Sequence, residues 1–191
     1  VKAIRVNFIG ELGWELHHYL EEQNQLFDTL MEAGADFGLK PFGIRAMDSM
    51  RLEKGYKMPG AELSIEYAAL ESGVDRFISK KKEAYLNKDG LDAWKERGFD
   101  NQLVTLDVHD IEDADPVGNN AIYYNGELCG RATSGGYGFR TQKSLALAML
   151  RPSLAKEGQE VEIDILGKNH KATVIPDSPF DPENKRLRDV E

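Results

Sequence analysis

The rhythm of apolar and polar residues changes twice along this chain. In residues 2–9, Ile4, Val6 and Phe8 alternate with Arg5 and Asn7, the period of a half-buried strand. Gly10 and Gly13 interrupt that run, and residues 14–20 resume an extended pattern. From Glu21 to Ala33 the spacing turns helical. Leu26, Phe27, Leu30 and Met31 form one stripe, and Gly34 is a stop signal. A second helix is predicted from Ile44 to Lys54, between Gly43 and Gly55. Residues 55–69 read as loop, 72–79 as a strand, and Asp89-Gly90-Leu91 opens a short helix that Gly98 ends after Arg97.

Beyond about residue 99 the period shortens to two. β-runs are predicted at 102–109, 120–124, 127–133, 143–150, 159–165 and 169–175. Turn pairs such as Asn125-Gly126 and Gly167-Lys168 separate several of them. This is the pattern of a small antiparallel barrel or sandwich. The tail Asp177-Ser178-Pro179-Phe180-Asp181-Pro182 is broken by prolines and is expected to lie over the surface. The fold class is therefore α+β, with residues 1–98 and 99–191 expected as separate packing units. The first unit has one strand pair and two helices, too little to close a sheet around a core. Further strands are expected upstream of Val1, so the chain reads as part of something longer. Ile4, Phe8 and Trp14 are expected to be left uncovered, and exposed strand edges predict a homo-oligomer.

Composition narrows the partners. A formal net charge of −9 argues against general nucleic-acid binding, which needs a basic face. No apolar run approaches membrane-spanning length, and Val1-Lys2-Ala3-Ile4 does not read as a signal peptide. Cys129 stands alone, which excludes an internal disulfide and fits a reducing compartment. His17, His18, His109 and His170 form no zinc-site spacing with it.

Glu15, between Trp14 and Leu16, is a carboxylate in apolar company that needs donors; the plainer reading is a surface glutamate at a strand end. Four stretches in order carry a resemblance. They are Arg5…Gly10-Glu11-Leu12-Gly13-Trp14-Glu15; Gly43-Ile44-Arg45-Ala46-Met47-Asp48-Ser49-Met50-Arg51-Leu52-Glu53-Lys54-Gly55; Leu70-Glu71-Ser72-Gly73-Val74; and Gly130-Arg131-Ala132-Thr133-Ser134-Gly135-Gly136-Tyr137. Together they resemble the glycine-cleavage T-protein (aminomethyltransferase) superfamily over almost the whole chain. The resemblance implies part of a folate-binding α/β domain over 1–98 and a C-terminal β-barrel over 99–191. Gly10-Glu11-Leu12-Gly13-Trp14-Glu15-Leu16, Ser134–Gly138, Lys143-Ser144-Leu145-Ala146 and the ending Asp181–Arg188 resemble the dimethylglycine and sarcosine dehydrogenase branch in particular.

That branch implies tetrahydrofolate as cofactor, with FAD in an N-terminal part that this chain does not contain. It also implies an N-methylated amine as substrate, and bacterial cytoplasm or mitochondrial matrix as location. The implied chemistry is oxidative N-demethylation with one-carbon transfer to folate. A free-standing aminomethyltransferase or demethylase without flavin, or a degenerate interaction module, are the alternatives. The resemblance assigns Glu15 to the pterin ring, whose adjacent N–H and amino group suit a carboxylate. Phe8 takes an aromatic position beside the rings, and Leu16 and His17 line the same cavity. Arg51 either meets the carboxylates of the folate tail or pairs with Asp48 one helical turn away. Glu53 reads as a helix-face charge. Arg76 stands where the branch has a tyrosine, so it faces the ligand or marks an altered site. Lys80-Lys81-Lys82 is a solvated basic run or an attraction for an anionic tail. The aspartate that the family uses beside the folate nitrogens lies in the half not represented here, so no catalytic residue is assigned.

Overall fold

The computed structural model describes residues 1–79 and 81–188. The chain enters as a short antiparallel pair, β1 (Lys2–Ile4) and β2 (Glu15–His17), with Lys2 opposite His17 and Ile4 opposite Glu15. β1 is shorter than the alternation over 2–9 predicts. The Val6 N–H donates back to the Ile4 carbonyl at 2.9 Å, and Gly10 turns the chain at φ 75°. Helix α1 (Gln23–Gly34) follows a single 3-10 turn, and α2 spans Ile44–Glu53. The strand expected over 72–79 is absent. Ala68 and Ala69 carbonyls instead accept from Ser72 and Val74, Gly73 sits at φ 64°, and Asp75–Phe77 form a 3-10 turn. Local turn bonds there outcompete a ladder that has no neighbouring strand. Helix α3 (Lys88–Arg97) ends at Gly98, as predicted.

The second half closes into a barrel of β3 (Gln102–Val108), β4 (Ala121–Tyr124), β5 (Glu127–Gly138), β6 (Lys143–Leu150), β7 (Glu160–Ile165) and β8 (Lys168–Ile175). The order around it is β3-β6-β5-β4-β7-β8, every pair antiparallel. The pattern resolves to a barrel rather than a sandwich because β3 pairs with both β6 and β8. Asn125-Gly126 and Leu166-Gly167 make the hairpin turns with both residues at positive φ, the geometry that matches strand twist. Val104, Leu106, Ile122, Leu150, Ile163 and Val174 fill the interior. A closed barrel removes its own edges.

At the join the two halves share one small apolar cluster. β6 is apolar on both faces from Leu145 to Leu150, and β3 carries Leu103 on its outer face. The outward Leu103, Leu147 and Met149 bury Leu52 of α2 in a second cluster, with Tyr67 against it. Residues 1–98 have no core of their own to match the barrel's. No residue of α1 is buried, and Trp14 (60%), Phe37 (89%), Phe42 (60%) and Phe77 (75%) are exposed. A short α4 (Lys185–Arg188) closes the described tail. Among the described residues no helix is long and apolar enough to cross a membrane.

Candidate functional site

Strand pleating decides what the β2 side chains can do. Glu15 and His17 share one face and Leu16 takes the other, so the three do not converge on one point. His17 Nε2 lies 3.4 Å from Glu15 Oε2, and the Glu15 side chain is 58% exposed. Among the described residues His17 is its one recorded partner, which leaves acceptor capacity turned outward. Phe8 is half-buried and stacks on Tyr56, ring centroids 6.2 Å apart. Burial pushes the Tyr56 hydroxyl pKa up, and the Arg76 charge pulls it the other way. Phe8, Tyr56 and Arg76 therefore share one neighbourhood. Arg76 is exposed, its guanidinium 4.8 Å from the Phe77 ring.

Arg51 is enclosed. It is 2% exposed, Nε donates to Asp48 Oδ1 at 2.6 Å, and Nη1 donates to the Tyr56 carbonyl and to Glu62 Oε2. The Asp48 pairing is present, and the guanidinium is held among protein acceptors. Of the basic run, Lys81 and Lys82 are exposed and Lys80 lies outside the described residues.

Three buried glutamates position this surface. Glu53 accepts from the backbone N–H groups of Arg140 and Thr141 at 2.6 and 2.8 Å, and from Arg140 Nε at 2.5 Å. Glu62 accepts from the Met58 N–H, from Arg51, and from the hydroxyls of both Thr133 and Ser134 at 2.5 Å. Adjacent strand residues normally point to opposite faces. The register shift of β5 between Ala132 and Ser134 turns both hydroxyls onto one carboxylate. Glu71 accepts from the N–H groups of Ala68 and Asn101, and its carbonyl accepts from Leu103 as β3 begins. Lys54, also buried, donates to the carbonyls of Phe180 and Asp181 at 3.1 and 2.6 Å. Gly10 packs on its side chain so closely that a Cβ would collide. Buried charges need such partners.

Arg140 ties the hairpin to this frame. It donates to Glu53, Glu11 Oε1, the Ile9 carbonyl and the Met50 carbonyl, with Phe180 stacked 3.9 Å away. The helix-face reading of Glu53 is thereby corrected: it is fully buried because the Arg140 turn folds over it. Sequence reasoning also passed over Glu62, Lys54, Tyr56 and Arg140. The available signal was the recurrence of Leu-Glu or Glu-Leu pairs, at 52–53, 62–63 and 70–71, in a segment with little regular structure.

A groove of about 980 Å³ runs between α2 and the barrel, with Asp48 and Met50 on one wall and Asp115, Tyr137 and Phe139 on the other. None of Phe8, Glu15, Leu16, His17, Arg51 or Arg76 lines it. Glu15 and His17 of the hairpin present an open face.

Comparison with known proteins agrees with this layout. Residues 1–82 match the GCVT N-terminal domain, and residues 101–181 match the glycine cleavage T-protein C-terminal barrel domain. The chain belongs to the glycine cleavage T-protein family. It is 41% identical over 191 residues to the mitochondrial dimethylglycine dehydrogenase of Homo sapiens, covering 98% of this chain and 22% of that protein. It is 35% identical to the mitochondrial sarcosine dehydrogenase of Mus musculus, covering 100% and 21%. To an aminomethyltransferase of Bacillus mycoides it is 35% identical, covering 95% and 49%. The crystal structure of glycine cleavage system aminomethyltransferase T from Bartonella henselae superposes with a TM-score of 0.84 at 22% identity, covering 94% of this chain and 49% of that one, which supports the fold. The chain thus spans about a fifth of the dehydrogenase relatives and about half of the aminomethyltransferases.

Proposed function

We propose that this chain supplies one wall of a tetrahydrofolate site in a flavin-dependent protein of the dimethylglycine/sarcosine dehydrogenase kind. The observation that carries the reading is Glu15, an outward carboxylate on a glycine-turned hairpin whose connecting segment holds Phe8 stacked on Tyr56. A reduced pterin presents two adjacent N–H donors and a flat ring. A carboxylate and an aromatic face are the groups that fit it. When bound, tetrahydrofolate supplies the nitrogens that take up a one-carbon unit. Glu15 orients the ring by charge-assisted hydrogen bonds, Phe8 covers it, and His17 holds one Glu15 oxygen. Arg51, Glu53 and Glu62 keep the frame fixed. No Gly-x-Gly-x-x-Gly follows a strand in this sequence, and none of its residues is assigned to the flavin. The domain boundary near residue 98, an N-methylated amine as substrate, and cytoplasm or mitochondrial matrix as location belong to the same proposal.

The higher identity to dimethylglycine dehydrogenase, 41% against 35% for the aminomethyltransferase, supports the flavin-dependent branch. A free-standing aminomethyltransferase is the second reading, supported by the 35% identity to the Bacillus protein. Product analysis on the full-length protein tests the proposal. With a methylated amine, Glu15→Ala should shift product from methylene-tetrahydrofolate to free formaldehyde while amine oxidation stays nearly constant. An unchanged partition removes Glu15 from the site. An absence of amine oxidation in the unmodified protein favours the second reading.

A further inference from the structure

The segment from Asp177 to Arg188 leaves the barrel and touches the first unit repeatedly. Asp177 Oδ2 accepts from Lys57 Nζ at 2.7 Å, and the Phe180 N–H donates to the Glu53 carbonyl at 3.0 Å. Lys54 donates to the carbonyls of Phe180 and Asp181. Arg186 Nε donates to Glu11 Oε2 at 2.9 Å, and Arg5 donates to the Leu187 carbonyl at 3.1 Å. We infer that this segment is a clasp that sets the hairpin carrying Glu15, with Arg186 as a positioning residue acting through Glu11. The consequence for binding rests on the tetrahydrofolate reading above; the geometry does not.

Glu11 is held at both oxygens, Oε1 by Arg140 from the barrel and Oε2 by Arg186 from the tail. The Phe180 ring lies against both guanidinium groups, at 3.9 and 5.8 Å. Arg186 is itself placed. Asp181 accepts from the N–H groups of Lys185 and Arg186 at 3.0 and 3.3 Å, fixing the start of α4. A second route reaches the same turn, since Gly10 rests on the Lys54 side chain that the tail carbonyls hold. Glu11 lies four residues before Glu15, on the turn that sets where β2 begins. Arg186 is 59% exposed, and an exposed ion pair contributes little to global stability. Its loss should therefore free the hairpin without unfolding the protein, which makes the two effects separable.

The test uses the full-length protein with folinic acid as a stable reduced-folate probe. Titration calorimetry gives Kd, and hydrogen exchange follows the amides of residues 8–16 and of the barrel. Arg186→Ala should raise Kd about two- to five-fold, the scale of an exposed ion pair. Arg186→Glu, which sets two carboxylates against each other, should exceed that. Arg186→Lys should restore most of the affinity, and Arg97→Ala on α3 should change nothing. Exchange should quicken over 8–16 and not in the barrel. Unchanged exchange in Arg186→Glu overturns the clasp, and quickened exchange with an unchanged Kd overturns the positioning role. Glu15→Ala is run beside them. If it binds the probe normally, the folate reading fails and exchange alone decides the clasp. If it weakens binding while Arg186→Glu is silent, the folate reading stands and the clasp falls.

Discussion

The barrel and the join beneath the hairpin are both buried, yet different forces hold them. The barrel interior is Val, Leu, Ile, Ala and the thiol of Cys129. The join buries Arg51, Glu53, Lys54, Glu62 and Glu71 beside a single small apolar cluster. Apolar burial is non-directional, so a core tolerates volume-conserving exchange. A buried carboxylate with three or four donors tolerates little, because removing one partner strands the others. The hairpin that carries Glu15 hangs from the second kind of structure. Bulk stability is thus invested in the barrel, while orientation is set where bonds have direction.

Cutting the two regions in turn gives the largest expected effects. Glu62→Ala strands the Ser134 hydroxyl and the Met58 N–H and takes one acceptor each from Arg51 and Thr133, and should cost about 3–5 kcal/mol. Leu106→Ala hollows the barrel and should cost about 2–5 kcal/mol. Denaturant unfolding measures both, and alkylation of Cys129 tells them apart. That thiol is buried, and burial pushes its pKa up against a smaller pull from Arg151, so it reacts only when the barrel opens. Leu106→Ala should speed its modification in native conditions more than Glu62→Ala does. Equal rates would mean that join and barrel open together.

The uncovered face offers a second contrast. The chain on its own should self-associate through exposed Trp14, Phe37 and Phe42, and less so when these three are replaced by serine. Light scattering across a dilution series checks this, and a monomer at high concentration would show that the exposed aromatics are tolerated.

The smallest effect is electrostatic. Burial holds Lys54 below its ordinary pKa of 10.5, with Asp181 opposing. Between the lowered folded value and 10.5 the unfolded chain binds more protons than the folded one. This group's contribution to stability therefore rises with pH through that window. Lys54→Met should flatten that alkaline rise in a stability-versus-pH curve; an unaltered slope would assign the rise elsewhere.

These contrasts explain what the sequence disclosed. Barrel strands were legible because period-two runs and the Asn125-Gly126 turn act locally, and because β6 reads apolar from Leu145 to Leu150, as a strand covered on both faces does. The strand expected over 72–79 failed because its apolar residues meet no neighbouring strand. Glu53 was misread and Glu62 passed over because charge implies solvent unless the partners are known. Theirs come from residues up to 88 positions away in the chain. Glu15 was visible through its glycine-turned setting, while Arg140 and the tail had no local pattern to mark them.

The central claim is that Glu15 belongs to a reduced-folate site, and direct titration tests it. Folinic acid titrated into the full-length protein and its Glu15→Ala variant should show a loss of about 1.5–3 kcal/mol, the worth of hydrogen bonds to a charged group. Glu15→Gln, which keeps the shape but not the charge, should fall between. Equal affinity in all three proteins would contradict the account and leave Glu15 a surface residue of the hairpin.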